Sequence, residues 1–328
     1  MKAATLYPEI EPYATGWLEV DPRHSLYWEQ CGNPDGVPVL FVHGGPGAGC
    51  SKRDRRFFDP AHFRIILIDQ RGAGRSKPGG EIRNNTSEHL MADFEVLREQ
   101  LGIDRWHVFG GSWGSTLGML YAQTHPEVCL SLVLRGIWLF RDQDLHWWFY
   151  DLAAIQPEQW RAFAEMVPES ERNNLLEAYW KILTGEDMEK AQAAARRWSE
   201  YEINCCTLLP CPEFAEMFKD DNASWSLARI EAHYFRNNRS KSDNHLLERV
   251  DRLRGIPAHL VHGRYDIVCP VAGADELHRN WPETSLSIIE DAGHSSIEPG
   301  ITSNLVEATD RIRDTGSPVL DQSGRASR

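Results

Sequence analysis

Trp106-His107-Val108-Phe109-Gly110-Gly111-Ser112-Trp113-Gly114-Ser115-Thr116-Leu117-Gly118-Met119-Leu120-Tyr121-Ala122 is the stretch on which the reading of this chain turns. Its first four residues predict a short buried strand running into Gly110. Residues 110–114 then fit G-x-S-x-G, and nothing else in the chain does. Thr116 to Ala122 opens a helix. A strand, a tight turn and a helix lift a serine hydroxyl clear of the backbone, and glycines are needed where no side chain fits beside it. A glycine-rich turn with an exposed serine is the plain alternative. The context favours Ser112 as a nucleophile.

Working outward, Val37–Val42 and Arg64–Asp69 are further apolar, β-branched runs that each enter a glycine-containing loop. They predict strands of a parallel sheet covered on both faces. Gly16–Val20 and Ser25–Gln30 flank the turn Asp21-Pro22-Arg23-His24 and predict an N-terminal hairpin. Leu90, Phe94, Leu97 and Leu101 recur at helical spacing; Asn85 with Glu88 resembles a capping box, and Gly102 ends the helix. After the strand Ser131–Arg135 strand signals fade until about residue 240. Helical patterns such as Leu175, Leu176, Tyr179, Ile182 and Leu183 take over, and tryptophans gather at 138, 147, 148, 160, 180, 198 and 225. Strands return at Ala258–His262 and Ser285–Ile289, and a last helix spans about Thr302 to Arg313. Strand–helix–strand units around a helical insertion predict an α/β fold, with core residues 1–136 and 241–315, a helical cap at 137–240 and an unstructured tail at 316–328.

A serine hydroxyl needs a base, and in this architecture acid and base follow the serine in chain order. The strand ending at Gly263 leads to Asp266, and the next strand leads through Glu290-Asp291-Ala292-Gly293 to His294. Both lie on loops at carboxyl ends of sheet strands, where open α/β sheets place their ligands. A lone loop aspartate is usually a turn residue and a lone histidine usually superficial. Among 13 histidines only His294 occupies the loop after the strand that follows Asp266. Ser112, Asp266 and His294 are therefore the expected triad. The loop His43-Gly44-Gly45-Pro46-Gly47 follows the first buried strand and is placed to give one oxyanion-hole N–H, the other coming from Trp113.

The formal net charge of −13 argues against nucleic acid and against an anionic membrane surface as partners. No apolar run approaches the ~20 residues of a membrane span, and residues 1–9 lack a signal-peptide core. Seven scattered cysteines with no C-x-x-C predict free thiols in a reducing cytoplasm rather than disulfides or a metal site. G-x-x-x-x-G-K-[ST] and H-E-x-x-H are absent, so neither a phosphate loop nor a zinc-protease site is expected. Nothing in the sequence fixes an oligomeric state.

Beyond these local readings, the chain resembles the proline iminopeptidases, also called prolyl aminopeptidases, of the α/β-hydrolase superfamily. The resemblance rests on His43–Gly47, Asp69-Gln70-Arg71-Gly72-Ala73-Gly74-Arg75-Ser76, Gly110–Ser115, Arg135-Gly136-Ile137, Ala228-Arg229-Ile230-Glu231 and His262-Gly263-Arg264-Tyr265-Asp266, in consistent order from about Tyr7 to Arg313. It implies an α/β-hydrolase fold, a mostly parallel sheet with a helical cap, and release of an N-terminal proline from peptides without metal or cofactor. It further implies that Gly45 and Trp113 form the oxyanion hole and that Glu202 and Glu231 hold the substrate's amino group. The proline-ring pocket would fall on Trp138 and Trp148, with Arg135 nearby; the family pattern has phenylalanine near 138 and tyrosine near 148. Cys50 and Cys269 are read as thiols whose modification crowds the site, not as nucleophiles. Three alternatives stay open: an α/β-hydrolase acting on other amides or esters, an aminopeptidase of broader specificity, and an inactive fold used for binding. An aspartate-nucleophile epoxide hydrolase or dehalogenase is disfavoured by the serine at 112.

Overall fold

The computed structural model describes residues 4–212, 220–237 and 242–320. The N-terminal hairpin pairs β1 (Ala14–Glu19) with β2 (Ser25–Gly32) in antiparallel register, Leu18 opposite Leu26. Next come β3 (Val37–Val42), β4 (Phe63–Ile68), β5 (Trp106–Gly111), β6 (Cys129–Arg135), β7 (Ala258–Gly263) and β8 (Thr284–Ile289). All eight form one sheet in the order β1-β2-β4-β3-β5-β6-β7-β8. β2 runs antiparallel to β4; every pairing from β4 to β8 is parallel, with Leu40 beside Ile66, Phe41 beside Phe109 and Gly110 beside Leu134. This is the mostly parallel α/β sheet that the apolar runs predict.

Side chains alternate across the sheet, so successive residues of one strand serve two cores. Leu40 and Val42 of β3 join Ile66, Val108, Leu132 and Leu260 on one face, beneath α1 (Ser87–Gln100) and α2 (Trp113–Thr124). Val39 and Phe41 join Ile65, Leu67, Phe109 and Val133 on the other face. There they meet Leu305, Val306 and Ile312 of the last helix, Pro299–Thr315. Phe109 packs against the rings of Phe41, Phe57 and Phe58 at centroid separations of 5.5, 5.4 and 5.1 Å. Removing such a side chain costs roughly 3–5 kcal/mol.

Helix α1 begins one residue later than the capping-box reading placed it. Thr86 is the N-cap, and its Oγ1 accepts the His89 N–H at 3.4 Å. Asn85 is buried instead: its Nδ2 donates to the Arg71 and Glu81 carbonyls, and its Oδ1 accepts from the Tyr234 hydroxyl at 2.7 Å. A residue that anchors a second chain segment is not available to cap its own helix.

Between β6 and β7 lie α3 (Asp142–Phe149), α4 (Pro157–Glu165), α5 (Leu175–Leu183), α6 (Met188–Cys206) and α7 (Asp221–Asn237). The end of this stretch expected at residue 240 lies outside the described residues. Helix α6 turns Ala191, Ala194, Ala195, Trp198, Tyr201 and Cys205 inward, at helical spacing. Trp198 stacks on Trp148 at 5.1 Å, and Phe163 lies between Tyr179 and Tyr201 at 4.4 and 4.6 Å. The short α8 (His245–Glu248) leads back toward the sheet; α9 (Ala272–Asn280) and α10 (Pro299–Thr315) complete the chain. Helix α10 starts three residues before the sequence reading, with Pro299 in its first turn. Of the tail expected at 316–328, residues 321–328 lie outside the described residues. Residues 316–320 are tied down: Arg311 Nε donates to the Pro318 carbonyl at 2.8 Å, and the Leu320 N–H donates to Ser285 Oγ at 3.0 Å. Among the described residues no helix is long and apolar enough to cross a membrane.

Candidate active site

Ser112 sits between the end of β5 and the start of α2 with φ 58° and ψ −127°. An L-residue held in such a conformation costs about 1–3 kcal/mol, which the surroundings must impose. They do so through glycine. A Cβ on Gly114 would lie 2.1 Å from the Val42 carbonyl oxygen, so only glycine lets α2 begin this close to β3. The Ser112 N–H donates to the Arg135 carbonyl at 2.9 Å, which anchors the turn to β6 as well.

Behind the turn, Gln70 links two loops. Its N–H donates to His43 Nε2 at 2.9 Å, its Nε2 donates to the His43 carbonyl at 2.9 Å, and its Oε1 accepts from Trp113 Nε1 at 3.1 Å. With Nε2 accepting, the His43 proton sits on Nδ1 and is donated to the Gly44 carbonyl at 2.9 Å. Burial holds His43 below the usual histidine range, consistent with a neutral ring. Asp69, just past β4, accepts the N–H groups of Cys50 and Arg75 at 2.8 and 2.9 Å. The glycine-rich loop after β3 is thus held at both ends, and Gly45 and Ser112 line the same cavity.

Asp266 and His294 come from the loops after β7 and β8. Those loops touch: a Cβ on Gly263 would lie 2.0 Å from the Gly293 carbonyl oxygen. Asp266 Oδ2 accepts from His294 Nδ1 at 2.7 Å, and its Oδ1 accepts the Val268 and Cys269 N–H groups at 3.0 and 2.8 Å. Burial pushes the Asp266 carboxyl up, but His294, His262 and the Cys269 N–H outweigh it and hold the group below the usual carboxylate range. A proton on Nδ1 leaves His294 Nε2 with the lone pair of a general base. That lone pair receives Arg135 Nη1 at 3.1 Å, and the same Nη1 donates to the His294 carbonyl at 3.0 Å. Among the described residues the Ser112 hydroxyl makes no hydrogen bond to His294.

The sequence reading passed over His262. Its Nδ1 accepts the Ile137 N–H at 3.0 Å, so its proton is on Nε2, which donates to the Cys269 carbonyl at 2.8 Å and lies 3.3 Å from Asp266 Oδ2. It is a second imidazole on the same carboxylate oxygen that His294 contacts. Its sequence signals are its position four residues before Asp266 at the end of a strand and its place in the segment His262–Asp266 that carries the resemblance. Gln70 was equally unremarked, though the segment containing it was part of the resemblance.

Two connected spaces open from Ser112. The outer cleft, about 340 Å³, is bordered by Ser112, His294, Arg135, Arg53, Glu202 and Cys50. The inner pocket, about 20 Å³, is bordered by Ser112, Gly45, Trp138, Trp148, Glu202, Glu231 and Cys269. Ser112 and the two tryptophans and two glutamates implied by the resemblance therefore share one pocket, although they come from the turn after β5, α3, α6, α7 and the loop after β6. Arg135 does not share it; its guanidinium lies against Gly111 and faces the outer cleft. Trp113 contributes no side chain to either space, because its ring is fully buried.

The two glutamates are hydrogen-bonded to each other, which requires a proton on one of them. Burial raises both, Glu202 to about 7, and the charge of Glu202 adds to the rise of Glu231 above its ordinary value. Trp198 Nε1 donates to Glu231 Oε2 at 2.5 Å, whereas Glu202 Oε2 is buried without a partner. An incompletely satisfied, partly protonated carboxyl pair beside apolar rings is arranged to receive a cationic N–H donor. Burial also pushes the Cys50 and Cys269 thiols well above their ordinary range, which removes thiolate reactivity from both.

Comparison with known proteins agrees with this geometry. Residues 37–300 match the α/β-hydrolase fold family. A proline iminopeptidase of Arabidopsis thaliana is 50% identical over 94% of this chain and 82% of its own length, and one of Xylella fastidiosa is 48% identical over 93% and 98%. An esterase of Exiguobacterium antarcticum (TM-score 0.63, 17% identity, 92% of this chain, 100% of its own) shares the fold. So does a proline iminopeptidase-related protein of Thermus thermophilus (TM-score 0.59, 19% identity, 92% and 98%). On identity carried through nearly its whole length, the chain belongs to the proline iminopeptidases, serine exopeptidases of the α/β-hydrolase fold.

Proposed function

We propose that this protein releases the N-terminal proline of peptides through an acyl-enzyme on Ser112, with Asp266 and His294 completing the triad. The observation that carries the reading is the single pocket bordered by Ser112, two tryptophan side chains and a buried carboxyl pair. Helices α3 to α7 act as the cap. A prolyl N-terminus is a cationic secondary amine on an apolar ring. At rest the pocket holds little more than one water, so the side chains of Trp138 and Trp148 part to admit the ring between them, and the amine donates to Glu202 and Glu231, whose shared proton leaves to solvent. This places the prolyl carbonyl at Ser112 and the rest of the peptide in the outer cleft.

Ser112 Oγ attacks the carbonyl carbon while His294 Nε2 takes its proton; Arg135 Nη1 must first cede that lone pair. Apo sites often hold such bonds out of line until substrate is bound. Asp266 orients the ring and stabilises the imidazolium. The N–H groups of Gly45 and Trp113 receive the oxyanion. The C–N bond then breaks as His294 returns its proton to the leaving amine. Water, deprotonated by His294, cleaves the ester and frees proline. We also place the chain in the cytoplasm, because Cys31, Cys129, Cys205 and Cys269 are buried free thiols.

The test is hydrolysis of prolyl β-naphthylamide beside its N-acetyl form and the alanyl analogue. Rapid cleavage of the free prolyl compound alone is expected. Equal cleavage of the acetylated compound removes the carboxyl pair from the reading, and equal cleavage of the alanyl compound removes the ring pocket. Ser112→Ala is expected to lower kcat by at least about 10⁴-fold with the far-ultraviolet spectrum unchanged.

A further inference from the structure

Resting on the proposed function, which puts the proline ring in the inner pocket, the remainder of a substrate must leave Ser112 through the outer cleft. Two guanidinium groups border that cleft, Arg53 and Arg135. Arg55, Arg71 and Arg75 each reach a carboxylate at 2.7 Å, those of Glu29, Asp93 and Asp69. The two arginines of the cleft do not. Arg53 Nη2 donates to Thr302 Oγ1 at 3.1 Å and to the Ser296 carbonyl at 3.5 Å. Arg135 Nη1 donates only to the carbonyl and Nε2 of His294. The Nε of each is buried with no hydrogen-bond partner, and neither group forms an ion pair among the described residues.

Two acidic side chains border the cleft, Glu202 of the pair already described and Asp54. Burial raises Asp54 to about 6, so it is largely ionised at neutral pH, but its Oδ2 is taken by the N–H and hydroxyl of Ser51 at 2.7 and 2.9 Å. It offsets part of the positive charge without contacting either guanidinium. Burial holds both arginines below their usual range, although the charge of Asp54 and, for Arg135, that of Asp266 offset part of the effect from a distance.

We infer that Arg53 and Arg135 form a carboxylate subsite on the leaving-group side of Ser112, and that the preferred substrates are short peptides whose free C-terminal carboxylate reaches it. Guanidinium groups suit this ligand because their forked N–H donors match its two oxygens. The site would then be polar along its length, carboxyls for the amine at one end and arginines for the carboxylate at the other. That polarity fits a zwitterionic di- or tripeptide and not the interior of a long chain. An acidic side chain just beyond the scissile bond offers the same chemistry.

The experiment measures calorimetric Kd values for Pro-Ala, Pro-Ala-amide and Pro-Glu-amide on the Ser112→Ala protein, with kcat/KM on the wild type alongside. Pro-Ala is expected to bind roughly tenfold or more tighter than its amide, a gap that closes in Arg53→Gln and is partly kept in Arg53→Lys. If Pro-Glu-amide matches Pro-Ala, the subsite reads any nearby carboxylate; if it matches Pro-Ala-amide, the site reads the chain terminus. Equal affinity for Pro-Ala and Pro-Ala-amide on the Ser112→Ala protein overturns the inference, whatever the variants do. Failure of the wild type to cleave prolyl β-naphthylamide would instead remove the proposed reaction, and the ratio of Kd values reads the subsite independently of turnover.

Discussion

Two buried carboxylate sites lie on either side of Ser112, and they have opposite character. Asp266, on the loop after β7, is almost fully buried yet held ionised, because His294, His262 and two backbone N–H groups converge on it. Glu231 on α7 is as deeply buried and Glu202 on α6 half-buried, but the pair has one indole donor and each other, and both carboxyls are raised. Depth of burial therefore does not decide the charge of a carboxyl group; the donors built around it do. In the proposed reaction the sheet-borne site would carry a permanent charge for a proton that comes and goes during turnover, and the helical site would give up its proton when a cation binds.

The largest expected effect tests the first half of that contrast. Asp266→Asn should lower kcat by about 10⁴-fold while leaving the KM for prolyl arylamides nearly unchanged, because the amide permits the wrong tautomer of His294. A loss confined to KM would place Asp266 outside the chemistry. Next, Glu231→Gln should lower kcat/KM for free prolyl substrates by about 10²-fold, chiefly through KM, since it removes the charge that receives the amine. If the loss fell on kcat alone, the pair would be acting on the reacting bond and not on the amine.

The third expectation concerns proton linkage. Folding raises Glu202 from an ordinary 4.5 to about 7, so the folded chain keeps a proton that the unfolded chain releases. The resulting stability is fully present below pH 4.5 and is lost as pH rises through about 7. Relative to Glu202→Gln, the wild type should therefore lose Tm between pH 5 and pH 8; parallel profiles would show that the pair holds no extra proton. Smallest of all, Trp198→Phe deletes the one donor to Glu231 and should raise KM by about fivefold. No change would mean that the indole only packs.

Much of the sheet was legible because its strands are short apolar runs bounded by glycine and polar turns. Val37–Val42 was read to the residue, and Arg64–Asp69 was displaced by one, since Asp69 leaves the strand to hold Cys50 and Arg75. The exchange of β3 and β4 in the sheet order was not legible, because apolar pattern reports burial and not neighbours. Asn85 was misread as a cap because its side chain is taken by Arg71 and Glu81 of the preceding loop and by Tyr234, 149 residues away along the chain. Glu202 and Glu231 could be singled out only through the resemblance: a carboxylate on a helix ordinarily faces water, and nothing local marks one that faces its counterpart on another helix. The seating of Arg135 on His294 Nε2 depends on a side-chain rotation that no periodicity encodes.

The contact between Gly114 and the Val42 carbonyl ties the reactive serine to the sheet rather than to the helices over it. The turn that carries Ser112 is thus braced from β3 and from β6 together. Helix α7 also reaches this floor: Tyr234 packs on Trp113 at 4.7 Å, and a Cβ on Gly47 would lie 2.9 Å from the Ser226 carbonyl oxygen, so a change in the roof bears on the loops around Ser112 as well as on the pocket.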